Sequence, residues 1–347
     1  MYAFLNYFSF DLPHEQSPLQ NISKLIWSAH HVMRTDPCRR FTFGITAEND
    51  IMRLWFFARS HVMTTEAFNF VTVSFRKILL KLYLCLTQDL DTTIQLFTSL
   101  ACADLADLGF DPTVSRVTID NKLQYKFQVG DEFYITIGTL SDHAADFIRG
   151  RGTRVFRAHL ESDPTKVVAL KDVWLEDDRT EEGVILENIR IAIAEMETTG
   201  AKFPGDKKPS EYFLTVNAHG RVKIGDRDDH TSAVMMRGLQ LQSLEYLSIS
   251  TPMEPLNRGS GVKGSDRAYS VGHTPTLSAD AAVLIHAHQP HHPKPFQARI
   301  HYRIVFNEIG KTIHELHRLA DVYQCLGDAT IGMFIALPHD YPRAKPC

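Results

Sequence analysis

The sequence predicts an α+β fold, and three observations carry the prediction. Two stretches, 66–87 and 181–196, space their apolar residues as helices do. Short β-rich runs closed by turn residues surround them. One interval, 251–280, is rich in Ser, Gly, Pro and Thr and has neither period. At roughly 150 residues per domain, a chain of 347 residues holds two units or one large one.

Composition removes several classes. Hydrophobic residues make up 44% and charged residues 22%, ordinary for a globular protein, so a chain disordered throughout, a collagen, a coiled coil and a small disulfide scaffold are excluded. Lys and Arg total 37 against 41 Asp and Glu; a net charge of −4 gives no reason to expect nucleic acid or a membrane surface as a partner. The most apolar stretch, 68–86, is broken by Arg76, Lys77 and Lys81, so no membrane span is predicted. The first residues lack a basic segment ahead of apolar ones and do not read as a signal peptide. Cys38, Cys85, Cys102, Cys325 and Cys347 are scattered, which suits reduced thiols in an intracellular protein and no zinc site.

Residues 1–40 are mixed in character. The runs 41–45 and 52–57 read as strands joined through Glu48-Asn49-Asp50. Over 66–87, Val71, Phe75, Ile78, Leu82 and Leu86 mark one helical face. A second helix covers 92–105 and stops near Leu108-Gly109, where glycine accepts the left-handed conformation. Strands follow at 114–119, 123–129 and 133–137, the last two turning at Val129-Gly130-Asp131. Residues 1–140 thus form a mixed upstream unit.

The character changes at Phe147. Residues 147–160 read as strand, glycine turn, strand; 161–165 as a polar turn; 166–174 as a third strand. A helix over 181–196 carries Val184, Ile185, Ile189, Ile191 and Ile193. Residues 213–224 read as a hairpin around Asn217-Ala218-His219-Gly220. A flexible insertion at about 251–298 interrupts this second unit, 141–311, which closes with a strand at 300–306 and a connector at 307–311. The last segment, 312–347, opens with helices at 312–319 and 321–336 and ends in a tail holding Pro338, Pro342 and Pro346.

The chemistry-bearing block is 148–187. A glycine turn between strands exposes backbone N–H groups to a phosphate, a lysine on the next strand reaches the same phosphates, and a carboxylate on the following helix holds that lysine. Gly150 and Gly152 fit the turn, with Val155 or Phe156 packing over a base. Lys171 fits the lysine strand, with Ala169 small enough to admit an adenine ring. Glu181 or Glu182 fits the partner carboxylate, 182 opening the helix in Glu182-Gly183-Val184-Ile185-Leu186. Lys171 lies among Val167 to Leu170, Val173 and Trp174, so its charge needs a partner.

The run Gly150-Arg151-Gly152-Thr153-Arg154-Val155-Phe156, then Val168-Ala169-Leu170-Lys171-Asp172-Val173-Trp174, then Glu182-Gly183-Val184-Ile185-Leu186 resembles the fungal-type protein kinases. So do Met52-Arg53-Leu54-Trp55-Phe56-Phe57-Ala58-Arg59-Ser60, Leu108-Gly109-Phe110-Asp111-Pro112-Thr113 and the segment from His301 to Gly310, which looks like the last N-lobe strand and the hinge. The resemblance implies a kinase-like N-lobe, a five-stranded antiparallel sheet with one main helix, followed by the start of a helical C-lobe. It implies ATP with Mg²⁺ as cofactors, nucleotide contacts from Gly150, Gly152, Val155, Ala169, Lys171 and Glu182, and hinge backbone groups from Glu308 and Ile309. It further implies transfer to protein Ser/Thr hydroxyls. The sequence departs from the pattern in having Val155 at the third glycine position and in containing no H-R-D and no D-F-G, the motifs that supply base and metal ligands. The chain therefore reads as stopping early in the C-lobe and as inactive as written, with a non-catalytic protein-binding module as the alternative.

Other motifs carry less. Gly259-Ser260-Gly261-Val262-Lys263-Gly264 has the spacing of a dinucleotide loop but neither a preceding strand nor a following helix, and reads as linker. His286, His288, His291 and His292 stand among prolines with no acidic support and read as a solvated loop. No G-x-S-x-G supports a hydrolase triad.

Overall fold

A computed structural model of the chain describes residues 8–10, 18–70, 88–198, 205, 207–237 and 296–336. The fold is α+β, with strands gathered mainly in two sheets. The smaller has five strands: β1 (Phe8–Phe10), β2 (Phe41–Glu48), β3 (Ile51–Ala58), β4 (Val62–Thr64) and β5 (Phe68–Asn69), in the order β1-β2-β3-β4 with β5 also on β3. β2 and β3 form the predicted hairpin, with Asn49 taking φ 54° at the turn. Leu25, Ala29 and Met33, four residues apart on helix α1 (Pro18–Thr35), are buried; Leu25 and Ala29 pack with Trp55 and Phe57 of β3.

The expected helix over 66–87 does not begin at 66. Phe68 and Asn69 pair with Met52 and Ile51 instead; the Asn69 amide donates to the Asp50 carboxylate and the Phe70 N–H to the Asp50 carbonyl, so local turn bonds displace the first helical turn. The remainder, 71–87, lies outside the described residues. Helix α2 (Gln88–Cys102) follows. Gly109, at the expected stop, has φ 94°, and a Cβ there would strike the Phe41 carbonyl, so conformation and space both require glycine.

The larger sheet contains β6 (Val114–Ile119), β7 (Lys122–Val129), β8 (Glu132–Ser141), β9 (Arg154–Leu160), β10 (Asp163–Glu176) and β11 (Val216–Arg221). After the short pair β12 (Lys223–Ile224) and β13 (Arg227–Asp228), β14 (Arg299–Phe306) completes it in the order β11-β14-β10-β9-β8-β7-β6. The ladder does not break at 140. Ile135 pairs with His159 and Thr136 with Ala158, so the meander continues into β9 and the sheet has seven strands rather than five. The hairpin expected around Asn217–Gly220 is instead the continuous strand β11. It finds a partner in β14, and the turn falls at Gly225, φ 61°, between β12 and β13.

From Val168 to Leu175 β10 is covered on both faces, which is why this part of its sequence reads as one mostly apolar run. Val168 and Leu170 pack with Phe127, Tyr134, Phe156, Ala158 and Val305. Ala169, Val173 and Leu175 pack on the other face with Tyr302, Ile304 and Phe306, where helix α3 (Glu182–Thr198) adds Leu186. Full burial of one such side chain is worth roughly 1.5–3 kcal/mol.

The segment 312–319 forms only a 3-10 turn, Ile313–Glu315, closed by a capping box between Thr312 and Glu315. Helix α4 (Leu319–Ala336) then packs its Gly332 against Tyr212, and Lys207 pairs with Asp328 at 2.6 Å. The linker glycines at 259–264, the histidines at 286–292 and the tail from 337 lie outside the described residues, as do Cys85 and Cys347. Cys38 is buried, its thiol pushed up to about 12 by desolvation and by Asp36; Cys102 and Cys325 are exposed and free. Among the described residues no helix is long and apolar enough to cross a membrane.

Candidate functional site

Lys171 and Glu182 meet. The ammonium of Lys171 donates to Glu182 at 2.5 Å, with side chains 19% and 38% exposed. Of the two acidic candidates, Glu181 is engaged elsewhere, accepting from Arg221 at 2.5 Å. Strand alternation puts Lys171 on the α3 face of β10, and an eleven-residue step brings the first residue of α3 back over it. The helix start is pinned from below: the Gly183 N–H donates to the Tyr302 hydroxyl at 2.9 Å, and the His219 ring lies where a Cβ on residue 183 would stand. Burial raises the Tyr302 phenol above its ordinary range and keeps it protonated. An ammonium has three donors, so Lys171 can hold an anion while keeping Glu182.

The glycine turn is fastened to the upstream unit. The Gly150 N–H donates to the Arg59 carbonyl at 2.8 Å, and the Trp174 N–H to the Arg151 carbonyl at 2.8 Å. Gly152, φ 53°, packs against the Arg59 side chain, leaving no room for a Cβ. The Arg59 guanidinium is fully buried and donates to the carbonyls of Phe147 at 2.5 Å and Met33 at 2.7 Å. Arg154 reaches the Met33 and Arg34 carbonyls too, so two arginines cap the last turn of α1, where the helix dipole favours cations. Burial, then the neighbouring Arg154, pulls Arg59 down to about 9.

Val155 stands opposite Lys171 on β9 and shares its face. Phe156 does not: it pairs with Leu170 and fills the opposite core. Ala169 and Ile309 belong to one apolar cluster, so the strand and the connector after β14 close on the same space. Glu308 holds the connector to the segment before β11 by accepting from the Thr215 N–H at 2.7 Å. Among the described residues no group of three or more His, Cys, Asp or Glu side chains is placed to hold a metal ion.

A feature the sequence reading missed lies on the far face of β10. Asp172 accepts from His301 at 2.9 Å and from Arg303 at 2.8 Å; Arg303 donates to Asp111 at 2.6 Å; His301 meets Asp229 at 3.1 Å, and Asp229 accepts from Arg40 at 2.9 Å. All six are buried, and the Trp174 ring stacks on His301 at 4.3 Å. Burial opposes the charge on Asp172, but His301 and Arg303 outweigh it and hold the carboxyl well below its usual range. Burial likewise opposes a charged His301, yet Asp172 and Asp229 raise it to about 9. The one sequence signal was the charge of Asp172 inside an apolar run.

Comparison with protein families matches residues 11–337 to the family described as fungal protein kinase. No curated protein and no solved structure matches.

Proposed function

The chain belongs to the fungal protein kinase family, and on that premise we propose that it holds ATP against the α3 face of β10. The observation that carries this reading is the Lys171–Glu182 pair at 2.5 Å, a positioned cation beside an alanine that leaves room for a base. Lys171 takes phosphate oxygens and Glu182 fixes the lysine. The glycine turn contributes main-chain donors; the Gly150 N–H is already held by Arg59, so those contacts fall to the rest of the turn. Ala169 and Val155 face the base, and the backbone at Glu308 and Ile309 meets its polar edge. Mg²⁺ accompanies the nucleotide in phosphoryl transfer and neutralises developing charge, but the described residues offer it no ligand cluster, so no step of this chain is built on it.

The family chemistry is transfer to protein hydroxyls, Ser or Thr by the resemblance. With no H-R-D and no D-F-G, the residues of this chain bind and orient the nucleotide without transferring its phosphate. The scattered reduced thiols suit an intracellular compartment. A second reading, a protein-binding module without nucleotide, draws on the exposed apolar residues of α4, including Tyr323, Met333 and Phe334.

Thermal melting with MgATP tests the first reading. A ligand at about 100 times its Kd adds roughly 2.7 kcal/mol to the native state, so the midpoint should rise for the wild type and not for Lys171→Met. An unchanged wild-type midpoint at saturating nucleotide favours the second reading. Autophosphorylation that Lys171→Met abolishes would refute inactivity.

A further inference from the structure

We propose that Arg157 forms the roof over the base and binds it through the plane of its guanidinium. This rests on the nucleotide reading above and assigns a residue that reading does not use. The β9–β10 register is unbroken from Val167 to Asp172. It places Arg157 opposite Ala169 and Val155 opposite Lys171. Ala158 and Phe156, the neighbours of Arg157, are buried in the far core, so Arg157 stands on the Lys171 face.

One cross-strand row on that face reads Gly138, Arg157, Ala169, Phe306. Open space surrounds Gly138 where a side chain would stand, Ala169 is small, and Phe306 leads into the connector of Glu308 and Ile309. The row containing Lys171 is two residues nearer the glycine turn, about 6–7 Å along the strand. Phosphates held by Lys171 and the turn therefore leave the base beneath the Arg157 row, with Val155 bordering it from the Lys171 row. Arg157 is exposed, with no hydrogen bond or ion pair among the described residues. A guanidinium at this place stacks on a purine face, which an ammonium does only weakly.

Titration calorimetry on the full chain tests this with ATP, AMP and inorganic tripolyphosphate. Arg157→Ala should weaken ATP and AMP by the same factor, about tenfold, and leave tripolyphosphate unchanged; Arg157→Lys should recover little. Lys171→Met should weaken tripolyphosphate. Loss of tripolyphosphate affinity in Arg157→Ala, full rescue by lysine, or unchanged ATP and AMP binding overturns the inference alone. A wild-type chain that binds neither ATP nor AMP overturns the nucleotide reading and this inference with it. Arg157 is exposed, so an unchanged melting midpoint without ligand verifies that the variant folds.

Discussion

At the scale of single residues, two buried histidines oppose each other in pH. His301 lies between the carboxylates of Asp172 and Asp229, with Asp111 at 3.7 Å, Arg303 beside Asp172 and the Trp174 ring stacked on it. The cations Arg40, His301 and Arg303 balance Asp111, Asp172 and Asp229 only while the imidazole is protonated. Its pKa is raised from 6.5 to about 9, so its contribution is complete below 6.5 and is lost as pH rises through 9. His61 is the reverse. Burial first, then Arg149, lowers it to about 4, so its contribution is present above 6.5 and is lost as pH falls through 4. Stability measured by denaturant should therefore peak near pH 6.5. His301→Gln should cost on the order of a few kcal/mol at that pH and flatten the alkaline arm while leaving the acid arm. An alkaline decline that persists in His301→Gln would assign it to other groups.

At the scale of elements, α3 is held by its first turn. A Cβ on residue 183 would lie 2.4 Å from the His219 ring, and the Gly183 N–H would lose its place on Tyr302 if the helix lifted to relieve it. Gly183→Ala should destabilise by about 1–3 kcal/mol through overpacking and, on the proposed nucleotide reading, reduce ATP affinity by separating Glu182 from Lys171. Tyr302→Phe keeps the packing and removes only the hydroxyl, so a smaller loss of both is expected; equal nucleotide binding in Gly183→Ala and wild type would uncouple the helix start from the site. The Lys171–Glu182 pair was legible because it is local: a strand, a polar turn and a helix start separated by eleven residues. β10 was legible because a strand buried on both faces is a run of apolar residues. The charge cluster was not, since His301 and Arg303 join partners 72 to 192 residues away and alone read as polar positions on a strand. Nor was the role of Arg59, whose described partners are carbonyls that no sequence pattern marks. The hairpin was misread because short-range turn residues were weighed without the partner strand, whose paired residues lie 81 to 90 positions later.

At the scale of the whole molecule, the two sheets share their polar interior. Arg40, at the edge of the smaller sheet, reaches Asp229 beside the larger, and Arg59 ties β3 to the glycine turn and to α1. β8 supplies one whole side of β9, from Tyr134 opposite Leu160 to Ser141 opposite Val155. A fragment beginning at residue 142 would therefore expose the backbone of β9 as an edge, remove Phe127, Tyr134 and Val114 from the core around Val168 and Leu170, and strip Asp111 from Arg303. Leaving that guanidinium buried without one of its carboxylates alone costs about 3–5 kcal/mol, comparable with much of a domain's net stability. The fragment 142–347 should accordingly lack a cooperative melt and give collapsed amide dispersion by NMR, whereas the full chain unfolds in one transition. A fragment that melts cooperatively and retains the ATP-induced shift would show that the nucleotide face is independent of everything before β9, and that the continuous ladder through β8 contributes packing without being required for the site.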